Sequence, residues 1–146
     1  MDGVLVDFER AYFELTGIDL AGQHVDNKSF WSPINKAGTK FWSEMNWKSD
    51  GKELWDYIKQ YKPKLLSAPS FEDSSRVGKH EWVERELYGV PLLLRSAKHK
   101  KDFADPNSIL IDDRPDNITG WIENGGVGIL HTSTVDTISQ LKLLNL

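Results

Sequence analysis

Ile109-Leu110-Ile111-Asp112-Asp113-Arg114-Pro115-Asp116 runs three apolar β-formers into two adjacent carboxylates and a turn. This pattern predicts a buried strand whose carboxyl end delivers Asp112 and Asp113 to a crevice. In open α/β sheets, ligands bind at that end of the strands. Neighbouring carboxylates repel unless a cation or proton lies between them. Hard divalent cations such as Mg²⁺ take oxygen ligands of this kind and are often shared with substrate phosphates.

The rest of the chain alternates short apolar strands with helices. A helix is expected over Phe8–Thr16, capped by Asp7 and stopped by Gly17, with Phe8, Ala11, Tyr12 and Leu15 on one face. Residues 18–50 read as a small, partly helical insertion with a helix near Lys36–Met45. A further helix fits Gly51–Tyr61, capped by Asp50, with Leu54, Ile58 and Tyr61 inward. Lys64–Ser67 reads as a strand ending in a hydroxyl, 68–75 as a loop and Arg76–Leu87 as a helix with Val77, Trp82, Val83 and Leu87 inward. Strands are expected at Leu92–Leu94, Ile109–Ile111 and Val127–His131, and helices at Asp116–Asn124 and Thr134–Leu144. Such alternation specifies an α/β fold with a parallel sheet and right-handed crossovers. The expected organisation is one domain, with a core of 1–17 and 51–146 and an insertion at about 18–50.

Composition narrows the function. Net charge is −4 over 146 residues, with Lys and Arg scattered, so no basic stripe marks nucleic acid as a partner. Cysteine is absent, which excludes disulfides and thiolate chemistry and fits a cytoplasmic location. No apolar run approaches the ~20 residues of a membrane span. His24, His80, His99 and His131 lack metal-ligand spacing. Arg95, Lys98 and Lys100-Lys101 read as a solvated basic turn, with contact to a phosphate as the alternative.

Four elements then fall in order: Asp2 and Asp7 around Gly3, Ser67 at a strand end, Lys79 in a helix, and Asp112-Asp113. Together with the wording Val4-Leu5-Val6-Asp7-Phe8, Lys79-His80-Glu81-Trp82-Val83-Glu84 and Ile111-Asp112-Asp113-Arg114-Pro115-Asp116, the chain resembles the haloacid-dehalogenase-like (HAD) phosphatases. Within them it is similar to the 5′(3′)-deoxyribonucleotidase branch of phage and bacterial type. The resemblance implies a Rossmannoid three-layer sandwich with a small cap after the first helix. It implies a Mg²⁺-dependent phosphomonoesterase acting on nucleoside monophosphates such as deoxyribonucleotides through an aspartyl-phosphate. Asp2 becomes the general acid/base, and its backbone carbonyl a metal ligand. Ser67 and Lys79 bind the phosphoryl group, and Asp112 and Asp113 hold Mg²⁺. Phe8, Trp31 and Trp42 become candidates for stacking the base.

In that family's first motif, Asp-x-Asp-Gly, Met1 takes the x position, so the nucleophilic Asp and its central strand are expected just upstream of Met1. The expected partner is a small phosphomonoester, with neither membrane nor nucleic acid, in a chain that admits a homodimer. The alternatives are a catalytically dead binding or assembly module, and a phosphatase for another small phosphoester or a nucleic-acid end.

Overall fold

The computed structural model describes residues 1–146. Its elements in chain order are α1 (Phe8–Thr16), α2 (Asn27–Ala37), α3 (Thr39–Ser43), α4 (Gly51–Ile58), β1 (Leu65–Ser67), α5 (Asp73–Glu86), β2 (Leu92–Leu94), β3 (Ile109–Asp112), α6 (Pro115–Glu123), β4 (Val127–Leu130) and α7 (Thr134–Leu143). Two 3₁₀ turns, Lys59–Tyr61 and Ala97–Phe103, complete them. The architecture is the expected mixed α/β fold with parallel pairing.

The strands form two separate parallel pairs, β1 with β2 and β3 with β4. Leu65 lies opposite Leu92, and Ile111 opposite Ile129. Parallel strands are buried on both faces, which is why they read as continuous apolar runs. Alternation sends Leu110 and Leu130 to one face, against Ile118 and Trp121 of α6. Ile111 packs on the opposite face against the main core, where Ile138 of α7 also packs. Helices thus cover both faces of the β3–β4 pair, giving three layers.

Between the pairs lies an apolar slot of about 100 Å³, bordered by Leu65 and Leu66 on one side and Ile109–Ile111 on the other. Leu65 N–H donates to the Pro91 carbonyl and Arg95 N–H to the Ser67 carbonyl. Leu66 therefore turns its backbone away from β2 and toward the slot. By the same alternation, Ser108 and Asp112 bond across to β4 while Ile109 and Ile111 face the slot. Two strand edges confront each other with no strand between them.

Met1–Asp7 is a tight turn rather than a strand. Gly3, Leu5 and Val6 close it through backbone bonds among Met1–Val6, and Asp7 N–H donates to Asn46. Gly3 holds a left-handed φ of 72°, as the turn requires.

Several local expectations are corrected. The helix near Lys36–Met45 is instead two helices, α2 and α3, broken at Gly38, whose φ of 67° ends the first. The 68–75 loop is shorter than expected because α5 starts at Asp73. Its inward face carries Ser75, Lys79, Trp82 and Val83, and Val77, expected inward, lies exposed on the other side. Leu15 and Tyr61 are likewise exposed, because each falls in the last turn of its element, beyond the core. The Lys98–Lys101 turn is not simply solvated: it belongs to a 3₁₀ helix that buries Lys100. No helix is long and apolar enough to cross a membrane.

Candidate active site

The carboxyl ends of β1 and β3 and the Met1–Asp7 turn enclose a cavity of about 440 Å³. β1 contributes Ser67, buried at 2% exposure, whose hydroxyl makes no hydrogen bond within the protein. β3 contributes Asp112, and the next residue, Asp113, sits at the mouth. The turn contributes Asp2 and Gly3. A side-chain carbon on Gly3 would collide with the Asp113 carboxylate, so the turn and the acidic pair are fitted to each other.

Asp112 is held on both oxygens. Lys100 Nζ donates to Oδ2 at 2.7 Å, while the Arg114 N–H and the Asn117 amide each donate to Oδ1 at 3.0 Å. Burial pushes its carboxyl up, but Lys100 and these donors outweigh that and leave it below the usual value. Asp113 goes the other way, raised by burial and by the adjacent Asp112 charge. The neighbouring acids therefore differ: one is engaged and anionic, the other is free of protein partners and holds its proton more tightly. Asp112 already accepts three hydrogen bonds, and a metal at its remaining lone pair would lie beside the Lys100 ammonium.

Lys79 is fully buried in α5 and donates to Asp2 Oδ2. It reaches the site through Asp2 rather than lining the cavity wall. Asp2 Oδ1 is buried and has no partner. His131, directly after β4, also lines the cavity. Its Nδ1 lies 2.8 Å from Thr137 Oγ1, its Nε2 is unpartnered, and burial lowers its imidazole below the ordinary value.

A second chamber of about 550 Å³ opens beside the first, sharing Asp2, Phe8, Ala68, Ala97 and Arg114 with it. Phe8, Trp31 and Trp42 all line it. Phe8 stacks on Phe30 at 6.0 Å and Phe30 meets Trp31 edge-on at 4.9 Å, so α1 and α2 build this wall together. Trp42 is only 2% exposed, too little surface for a stacking plate. Phe71, fully exposed, stands on the rim.

Asp2, Ser67, Asp112, Asp113, Phe8, Trp31 and Trp42 thus meet at one end of the sheet. Sequence reasoning missed Asn117 and His131, and favoured a solvated turn for Lys100 over a phosphate contact. Lys100 lies amid charged residues with no apolar pattern around it. Its one local signal is Ala97, three residues earlier, which shares its face in a 3₁₀ turn. Asn117 is foreshadowed by the turn after Asp112, whose carboxylate caps the Arg114 N–H and leaves a second lone pair for an amide one turn on.

No group of three or more His, Cys, Asp or Glu side chains is arranged to hold a metal ion. The free Asp113 carboxylate, with the Asp2 backbone carbonyl beside it, still suits Mg²⁺, which takes one or two carboxylates and completes its shell with water and phosphate oxygens.

No protein-family model and no curated protein matches the chain. Among solved structures, a hydrolase from Streptococcus pneumoniae TIGR4 is similar, with a TM-score of 0.53 over 100% of this chain and 95% of that one. The two share the fold. At 15% identity the likeness extends no further.

Proposed function

We propose that the protein is a HAD-type, Mg²⁺-dependent phosphomonoesterase for nucleoside monophosphates, deoxyribonucleotides among them. One observation carries the reading: a cavity of acids, a buried lysine and a free hydroxyl opens into an aromatic chamber through Asp2 and Phe8. The first suits a phosphoryl group and the second a base. Stacking on aromatic side chains contributes about 1–3 kcal/mol per base. The fold shared with a hydrolase agrees with this.

In this reading the phosphate lies against Ser67 Oγ, with Lys100 and Lys79 supplying positive charge from two sides. Asp2 protonates the leaving nucleoside oxygen, then takes a proton from the water that hydrolyses the aspartyl-phosphate. Lys79 keeps the Asp2 carboxylate oriented. The Asp113 carboxylate and the Asp2 backbone carbonyl would hold Mg²⁺, which when bound offsets the repulsion between phosphate and carboxylates.

In this reading an apolar strand ending in Asp and joined to Met1 would supply the attacking carboxylate. Met1 borders both the slot and the active cavity, so a strand rising through the slot would end at the site. It would also pair the backbones of Leu66, Ile109 and Ile111.

A second reading, a nucleotide-binding module without turnover, draws on the engagement of the chain's own acids: Asp112 is held by Lys100 and Asp2 by Lys79. The test is phosphate release from deoxynucleoside monophosphates and sugar phosphates by the chain carrying such a strand. Preference for nucleotides, and a loss of roughly 10²-fold or more in Asp2→Asn, is expected. A folded, nucleotide-binding protein that releases no phosphate would favour the second reading.

A further inference from the structure

Trp42 is only 2% exposed, so its ring meets protein rather than ligand. One of its neighbours is the Lys79 ammonium, 4.9 Å from the ring centre. Lys79 is fully buried, and Asp2 Oδ2 is the one hydrogen-bond acceptor of its ammonium. An ammonium carries three donors, and a buried cation short of partners is costly. An aromatic face within about 6 Å attracts a cation through the ring quadrupole, most strongly for tryptophan and where water is excluded. The Asp2 carboxylate and the Trp42 face are therefore the two groups that hold this cation.

The packing of α3 on α5 presents that face. A side-chain carbon on Gly78, next to Lys79, would lie 2.5 Å from Trp42 Cβ and 2.7 Å from the Thr39 carbonyl oxygen. The missing side chain is what lets the two helices approach so closely. Phe41 meets the Trp42 ring edge-on at 5.1 Å and Phe8 lies tilted to it at 5.9 Å, which wedges the ring in one orientation. Trp42 Nε1 makes no hydrogen bond, so packing alone places the ring and its face is the part that meets charge.

We infer that Trp42 is a positioning residue whose ring face fixes the Lys79 ammonium against Asp2, beside the phosphoryl site. This rests on the phosphomonoesterase reading above and deepens it. Trp42, Lys79 and Asp2 form a relay from α3 to the cavity, and Trp42 itself touches neither substrate nor metal. It keeps the cation where phosphate needs it before phosphate arrives. A charge that is already in place costs no reorganisation on binding, and a loosened one does.

The test measures binding of inorganic phosphate to the full chain by calorimetry, with Mg²⁺ present. Position 42 carries in turn tryptophan and its mono-, di-, tri- and tetrafluorinated forms, which nearly keep the indole shape while draining negative charge from the ring face. Phosphate affinity is expected to fall with each added fluorine, by about tenfold across the series. Lys79→Met should weaken phosphate binding by itself, and in that background the series should be flat, because Trp42 acts through the lysine. Trp42→Phe, which keeps an aromatic face, should retain more affinity than Trp42→Leu. A flat series in the parent overturns the role of Trp42, and that series decides alone if Lys79→Met does not fold. A series equally steep with and without Lys79 also overturns it. In both cases a Lys79→Met loss leaves the phosphomonoesterase reading standing. No phosphate binding by the parent, or undiminished binding by Lys79→Met, overturns the role of Trp42 and the placement of the phosphoryl site together.

Discussion

Lys100 Nζ donates to Asp112 Oδ2 at 2.7 Å, and both side chains are buried, at 8% and 6% exposure. The pair ties the 3₁₀ turn Ala97–Phe103 to the carboxyl end of β3 and puts a cation at the floor of the cavity. Breaking one side of a buried pair leaves an uncompensated charge, at a cost of about 3–5 kcal/mol. Lys100→Met should therefore destabilise the protein by about that amount in urea unfolding. Adding Asp112→Asn should recover part of the loss. A Lys100→Met variant within about 1 kcal/mol of the parent would show that the pair is not buried as described.

Gly3 and Asp113 make the second test. Alanine at position 3 meets two obstacles, the left-handed backbone and the Asp113 carboxylate. The backbone term alone is about 1–2 kcal/mol. Gly3→Ala should lower the thermal midpoint, and Asp113→Ala in the same chain should relieve the collision but not the backbone strain. Full recovery, or none, would contradict this division.

Mg²⁺ should raise the thermal midpoint through Asp113 and Asp2. Asp113→Asn should remove the metal-induced rise while raising the metal-free midpoint at neutral pH, because it removes a charge that burial and Asp112 disfavour. An unchanged rise would take Asp113 out of the metal site.

The pH dependence of stability has a sign fixed by His131. Its imidazole is lowered by burial from an ordinary value of 6.5, with Asp50 opposing the shift. As pH falls through 6.5 the unfolded chain takes up this proton first, so stability declines downward from there until the folded group titrates. The slope is at most about 1.4 kcal/mol per pH unit for one group. Asp113, whose carboxyl is raised, acts in the opposite sense at lower pH. Comparing the parent with His131→Asn cancels that contribution. A shallower decline between pH 7 and 5 is expected in the variant, and an identical slope would contradict the buried, neutral imidazole.

Much of the fold was legible because apolar runs and caps are local. Leu92–Leu94 matched its strand, and Asp7 caps α1 through the Arg10 N–H as its position implied. The acidic pair was legible for the same reason, as two acids after an apolar strand. Phe8, Trp31 and Trp42 shared a chamber because α1, α2 and α3 fold over the same end of the sheet. Lys100 and His131 were illegible because their meaning is tertiary. Lys100 matters through a carboxylate twelve positions away, and His131 through Thr137 across a turn. Val77 misled because it fits a helical stripe that α5 turns outward in favour of Lys79, whose ammonium pairs with Asp2.

The most direct test of the account measures Mg²⁺-dependent phosphate release from deoxynucleoside monophosphates by two folded proteins. One is the 146-residue chain; the other is the same chain extended before Met1 by an apolar strand ending in Asp. Turnover in the extended protein alone is the predicted result, with the strand filling the slot between β1 and β3. Turnover by the shorter chain would mean that another carboxylate attacks phosphorus, and would contradict the site as described.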